Sequence, residues 1–158
     1  MIFQSNTRRS FLAIIAISFL VISCRQVDVY EKNTPIPHYK WQHNYTVSGS
    51  FIITDTGSPY SMYIVLRHTD AYKYNNIWLN VGLQQPGDTM FFQNINLTLA
   101  NDATGWEGSG MNDIWEVRKL VKQDSLRKGE YKFKISQVMR DDPLPDIMSA
   151  GMRVQKAN

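Results

Sequence analysis

"IWLNVGLQ", residues 77–84, decides the class of fold. Its odd positions, Ile77, Leu79, Val81 and Leu83, are all aliphatic, while its even positions, Trp78, Asn80, Gly82 and Gln84, include two amides and a glycine. A period of two marks a strand that buries one face. On a helix the same four aliphatic residues would be scattered around the circumference. Leu79 and Val81 are therefore expected to face a core.

The same period recurs outward in both directions. "VSGSFIIT" (47–54) sets Val47, Phe51 and Ile53 on one face, and "SMYIVLRHT" (61–69) sets Met62, Ile64 and Leu66 against Tyr63, Val65 and Arg67. "TMFFQNINLTLA" (89–100) reads as one long strand or two joined by a kink. "YKFKISQVM" (131–139) alternates Tyr131, Phe133 and Ile135 with Lys132, Lys134 and Ser136, and "IMSAGMRVQ" (147–155) closes the series. Between them lie "DTGSP", "TDAYKYNN", "QQPGD", "NDATG", "RKGE" and "DDPLPD", stretches rich in turn formers. Short strands punctuated in this way indicate an all-β domain, an antiparallel β-sandwich of jelly-roll or Ig-like type, over residues 47–158. One segment departs. In "NDIWEVRKLVKQDSL" (112–126), Ile114, Val117, Leu120 and Val121 have helical spacing, with Asn112 or Asp113 as N-cap. We read it as a helix, although its β-rich composition equally allows a strand plus loop.

The N-terminal part has a different character. Residues 1–10 carry Arg8 and Arg9 and no acid, and residues 11–22, "FLAIIAISFLVI", are almost wholly apolar. Twelve helical residues span about 18 Å, too short for a bilayer core of about 30 Å. This is the layout of a secretory signal. It ends in "VISC" (21–24), similar to the lipobox of bacterial lipoproteins, and Cys24 is the sole cysteine of the chain. An unpaired thiol at that position is read as a lipidation site carrying palmitate-type acyl chains. The signal peptide is then 1–23, and residues 24–46 are the lipidated cysteine and a tether. A signal anchor with an incidental cysteine is the alternative. "TRRSFL" (7–12) also resembles a twin-arginine export signal, but the strongly apolar run favours the general secretory route. Residues 25–46 show no period, and Trp41 and Tyr45 are the first side chains expected to pack on the domain.

The charge balance excludes one class of partner. The chain has 17 basic and 14 acidic side chains. Loss of Arg8 and Arg9 with the signal leaves 15 against 14, so the mature protein has no strong field for nucleic acid.

Motifs for chemistry are sparse. His38, His43 and His68 have no metal-ligand spacing, and surface histidines are the expectation. "TGWEGSG" (104–110) matches neither a dinucleotide-binding loop nor a P-loop, and Ser109 lacks the spacing of a nucleophile elbow. It reads as a turn anchored by Trp106. Asp141, Asp142 and Asp146 in "DDPLPD" are not spaced as an EF-hand loop. Tyr60, Tyr63, Tyr72, Tyr74 and Trp78 would suit a sugar-stacking face, but are more often core or cross-strand pairs. "DTM" (88–90) and "DSL" (124–126) resemble a short O-glycosylation acceptor pattern, with Thr89 and Ser125 as the acceptors.

Three runs, "YIVLRHTDAYKYNNIWLNV" (63–81), "GWEGSGMNDIW" (105–115) and "GEYKFKISQVMRDDPLPDIMSAGMRVQK" (129–156), stand in this order behind a lipobox. Together they resemble the GldH family, gliding-motility lipoproteins of Bacteroidota. The resemblance covers residues 28 to 156. It implies a non-enzymatic lipoprotein of the cell envelope, held at a membrane by its lipid and expected at the outer membrane. It further implies association with other envelope proteins of the gliding apparatus and its linked secretion system, no cofactor or metal, and no catalytic residues. A surface glycan-binding lipoprotein is the competing expectation; an enzyme of unrecognised type is a third.

Overall fold

Alternating apolar and polar residues become strands over most of the chain, and no α-helix forms among the described residues. The computed structural model describes residues 30–157. In order, the strands are β1 (Tyr30–Pro35), β2 (Lys40–Trp41), β3 (Val47–Ile53), β4 (Pro59–Thr69), β5 (Asn76–Gln84), β6 (Phe91–Thr98) and β7 (Ala100–Asn101). There follow β8 (Gly105–Trp106), β9 (Ser109–Met111), β10 (Ile114–Ser125), β11 (Gly129–Gln137), β12 (Leu144–Pro145) and β13 (Ile147–Lys156). A short 3-10 turn, Pro37–Tyr39, links β1 to β2. The predicted all-β antiparallel sandwich is the observed fold.

Two sheets make the sandwich. One has the order β1-β13-β4-β10-β9, and the other β3-β11-β5-β6. With β9 set aside, the eight long strands have the connectivity of a jelly roll, not an Ig-like domain. All pairings are antiparallel. Between the sheets lie the residues that the period of two selected. Ile77, Leu79 and Val81 are buried, as are Val47, Phe51, Ile53, Met62, Ile64, Leu66, Tyr131, Phe133 and Ile135. Phe51 stacks on Tyr131 at 5.2 Å. Trp78, on the opposite face of β5, is 43% exposed.

Two expectations fail. The segment 112–126 contains no helix; Ile114–Ser125 is the strand β10, paired with β4 along its length. A register shift between Leu120 and Lys122 is the reason for the misleading spacing. Val117 points inward opposite Leu66, while Ile114 and Leu120 lie on the outer face. The bulge then breaks the alternation. Apolar residues on both faces of a bulged strand imitate a helical stripe.

The tether through residue 46 is the second correction. Tyr30–Pro35 pairs with β13 in unbroken register from Tyr30↔Val154 to Pro35↔Ser149. Ile36 and Trp41 are fully buried, so the folded domain begins by Tyr30, not at residue 47. Pro35 ends an edge strand, where a missing N–H is tolerated. Polar residues dominate β1 because only part of an edge strand is covered, which removes the period. Buried Gln137 fastens this segment. Its amide donates to the carbonyls of Trp41 and Asp141 at 3.1 Å each and accepts from the Met139 N–H at 2.7 Å.

Candidate functional site

The sequence-selected polar residues disperse over the fold. His38 and His43 are exposed. His43 contacts the Met139 carbonyl at 3.0 Å, and its N–H donates to Asp142 at 2.9 Å. Asp141 pairs with Lys73 at 2.6 Å, and that ammonium, with burial opposing, holds its carboxyl below the ordinary range. Among the described residues no group of three metal-ligating side chains assembles. The five aromatics share no platform either. Tyr60 and Tyr72 are buried, Tyr63 and Tyr74 half-buried, and Trp78 lies on the outer face. The hydroxyl-bearing residues of the glycosylation patterns, Thr89 and Ser125, are both exposed. Cys24 lies outside the described residues.

His68 overturns the expectation of surface histidines. It is fully buried at the inner end of β4, with Trp106 at 4.6 Å and Tyr72 at 5.7 Å between ring centroids. One ring nitrogen, Nδ1, bonds the Thr69 carbonyl at 2.9 Å, while Nε2 is buried without a hydrogen-bond partner. Burial lowers its pKa, because the imidazolium would be desolvated there, and the Thr69 contact opposes this only in part. The ring is neutral packing material. Trp106, in the glycine-rich turn, is thus the anchor its sequence suggested.

Two concavities with charged residues at their walls mark the outer faces. On the first sheet, Glu116 sits between Arg67 (2.6 Å) and Arg118 (2.7 Å) beside a hollow of about 520 Å³. Burial pushes its carboxyl up, yet the two guanidinium groups outweigh this and leave its pKa below the ordinary value. On the second sheet a wider groove of about 970 Å³ runs past Lys32, Lys132, Lys134, Ser50 and Phe92. Neither concavity contains a nucleophile hydrogen-bonded to a base. Both are shapes for contact.

The long seams of the sandwich differ more sharply. On one side β1 closes on β3. Tyr30 packs on Phe51 (5.5 Å) and Phe133 (6.0 Å), and Lys32 donates to the Ser48 carbonyl at 3.3 Å. On the other side β6 and β10 flank a cavity of about 320 Å³ lined by Val81, Leu83, Phe91, Gln93 and Val121. Trp106 and the Lys119–Glu107 pair seal only one end of that seam. At the other end Phe91 is 70% exposed. In "FFQNINLT" alternation alone places Phe92 on the outer face, whereas the exposure of inward Phe91 has no local signal in the sequence.

This sandwich matches a family model described as GldH lipoprotein over residues 28–154. The chain belongs to the GldH lipoprotein family. Gliding motility lipoprotein GldH of Flavobacterium johnsoniae is 25% identical over 146 residues, covering 88% of this chain and 91% of the relative. A GldH homolog of Christiangramia forsetii is 24% identical over 162 residues, covering 95% and 99%. Among solved structures, an infectious bursal disease virus structure (Gt strain) aligns with 80% of the chain at 15% identity and a TM-score of 0.31. The alignment spans 29% of that viral chain, and a score so low carries no weight for fold or function.

Proposed function

We propose that this chain is a lipid-anchored envelope protein of a gliding-motility apparatus and its linked secretion system, anchored at the outer membrane. It contacts partner proteins and turns over no substrate. The observation that carries this reading is the family match, whose relatives are named gliding motility lipoproteins along almost their whole length. The lipobox "VISC" supplies the anchor, Cys24, a few residues before the matched segment. One acyl chain alone binds a membrane weakly, so a thiol and a new amino group that are both acylated suit permanent attachment.

The fold adds an orientation. Six residue steps separate Cys24 from Tyr30, which at full extension reach about 20 Å. The Tyr30 end of the sandwich is therefore kept near the membrane. The opposite end carries the turn at Pro37–Tyr39, the β7–β9 excursion and the loop before β12. Exposed Tyr39, Met111 and Val138 lie at this far end, and we assign partner contacts there.

Detergent phase partitioning and intact-mass measurement of the wild-type protein test the anchor. The mature chain is expected to begin at Cys24 and to carry acyl mass; any other start, or no acyl mass, overturns it. Affinity purification from detergent-solubilised envelopes is expected to bring down other gliding or secretion proteins. The Val138→Asp variant should lose them while still reaching the membrane. Retention of every partner by that variant would remove the far end from the interface.

A further inference from the structure

The two sheets have four outer edges, and three of them are protected. Along the β1/β3 seam, Lys32 bridges from one edge to the Ser48 carbonyl of the other, and Tyr30 fills the gap behind it. The third edge, β10, pairs with β9 through Ile114, Trp115 and Glu116. Beyond that it carries Arg118, Lys119, Lys122 and Asp124, and Lys119 has inward register opposite Ile64. Charges on an edge, inward-pointing ones above all, discourage a further strand. The fourth edge, β6, has neither device. It is eight residues long, contains no charge and no proline, and is hydrogen-bonded only to β5. Phe91–Asn94 are exposed on both faces of the strand.

We propose that β6 is a self-association edge, on which β6 of a second copy pairs antiparallel and fuses two four-stranded sheets into one of eight. The occupant follows from side-chain chemistry. On the outer face Asn94 accepts from the Asn80 amide and Asn96 from the Asn76 amide, both at 2.7 Å. Both side chains thus keep their own NH₂ donors for the open side. An added strand must supply acceptors at matching positions, and amides do so without placing charge on the edge. A second β6 does so when the two Ile95 residues face each other across a two-fold axis. Asn94 then lies opposite Asn96 of the other copy, twice, and each amide offers both a donor and an acceptor. The same register places Phe92 opposite Thr98 and Gln93 opposite Leu97, so every side chain stays on its own face of the sheet. No like charges meet, because the strand has none, and the contact is closed and isologous; it points the two Tyr30 ends in opposite directions along the strands, so both anchors reach one membrane with the strands lying along its plane.

Two differently tagged full-length copies, Asn94→Cys and Asn96→Cys, are co-expressed and oxidised in the native envelope. A mixed disulfide dimer is expected. Wild-type chains, with Cys24 alone, and Ser50→Cys chains, with a thiol on the β3 edge, should give none. Absence of the mixed dimer overturns the proposal, as does a thiol at residue 94 captured only by another protein. A second measurement is sedimentation of the wild-type full chain in detergent against Asn94→Lys. The substitution sets like charges near the axis twice over, and the dimer should weaken about tenfold or more. A monomeric wild type, or an equally tight Asn94→Lys dimer of native far-ultraviolet spectrum, would also refute self-pairing. If Asn94→Lys does not fold, the disulfide result decides alone.

Discussion

Phe51 and Phe91 are the same residue type on opposite edges of the same sheet, and both have inward register. Phe51 lies opposite Tyr131 on β3, and Phe91 opposite Leu83 on β6. Yet Phe51 is 4% exposed and Phe91 is 70% exposed. The difference is made on the facing sheet. Opposite Phe51, β1 brings Tyr30 to complete an aromatic cluster with Phe133 and Tyr131. Opposite Phe91, β10 brings a bulge and Lys122, and the seam stays open. Inward register alone does not bury a side chain; the opposing strand must also present apolar surface.

The largest test of this contrast is Phe51→Ala. Removing a buried aromatic ring from the closed seam is expected to cost about 3–5 kcal/mol in chemical denaturation. A loss under about 1 kcal/mol would mean that the closed seam is loosely packed. Gly49→Ala comes next. A Cβ there would stand 2.5 Å from the Tyr30 hydroxyl and 2.7 Å from the Phe133 ring, so overpacking by about 1–3 kcal/mol is expected. The Tyr30 hydroxyl is buried without a hydrogen-bond partner. Tyr30→Phe should therefore leave stability unchanged or raise it by up to about 1 kcal/mol, and should relieve part of the Gly49→Ala penalty. Additive effects in the double variant would place the clash on Phe133 alone.

A smaller effect depends on pH. It concerns the one end of the open seam that is sealed, where His68 packs on Trp106. Burial lowers the His68 pKa beneath its usual value of about 6.5, so on acidification the unfolded chain takes up this proton first. The stabilisation is complete above pH of about 6.5 and drains away as pH falls toward the lowered value. Asp55, Asp141 and Glu116, whose pKa values are also lowered, lose their contribution only in more acidic solution. His68→Phe should flatten the profile between pH 7 and 5. An unchanged slope would place the acid sensitivity elsewhere.

The closed half of this contrast was more legible in the sequence than the open half. Strands β3, β5 and β11 alternate cleanly because each has one dry face and one wet face, so their core residues could be named from the period alone. Strand β1 could not be found in that way. "YEKNTP" lies at an edge, where partial burial allows polar residues, and its place depends on pairing with a segment more than a hundred residues away. The same long-range dependence hid the role of Gln137. In β10 the bulge and the two-sided apolar content gave the wrong period. His68 looked like a strand-end surface residue because nothing local foretells the Trp106 that covers it. The lipobox was read from local spacing around Cys24, whereas the open seam results from two distant strands failing to meet.

The smallest expected effect is on that open seam. Phe91→Ala should change the stability of the dilute, monomeric chain by no more than about 0.5 kcal/mol, as surface substitutions generally do. The ring has most of its surface in water already, so its removal returns little apolar area to solvent. Nor can it leave a closed void, because the adjoining cavity already opens between β6 and β10. The measurement is denaturant unfolding at a protein concentration low enough to exclude association, beside Phe51→Ala under the same conditions. The ratio of the two losses then compares the seams directly, with residue type, sheet and inward register held constant. A loss above about 1.5 kcal/mol for Phe91→Ala would show that the ring caps Leu83 and Val121 in the isolated chain. The seam would then be closed by its own side chain, as the opposite seam is closed by Phe51 and Tyr30.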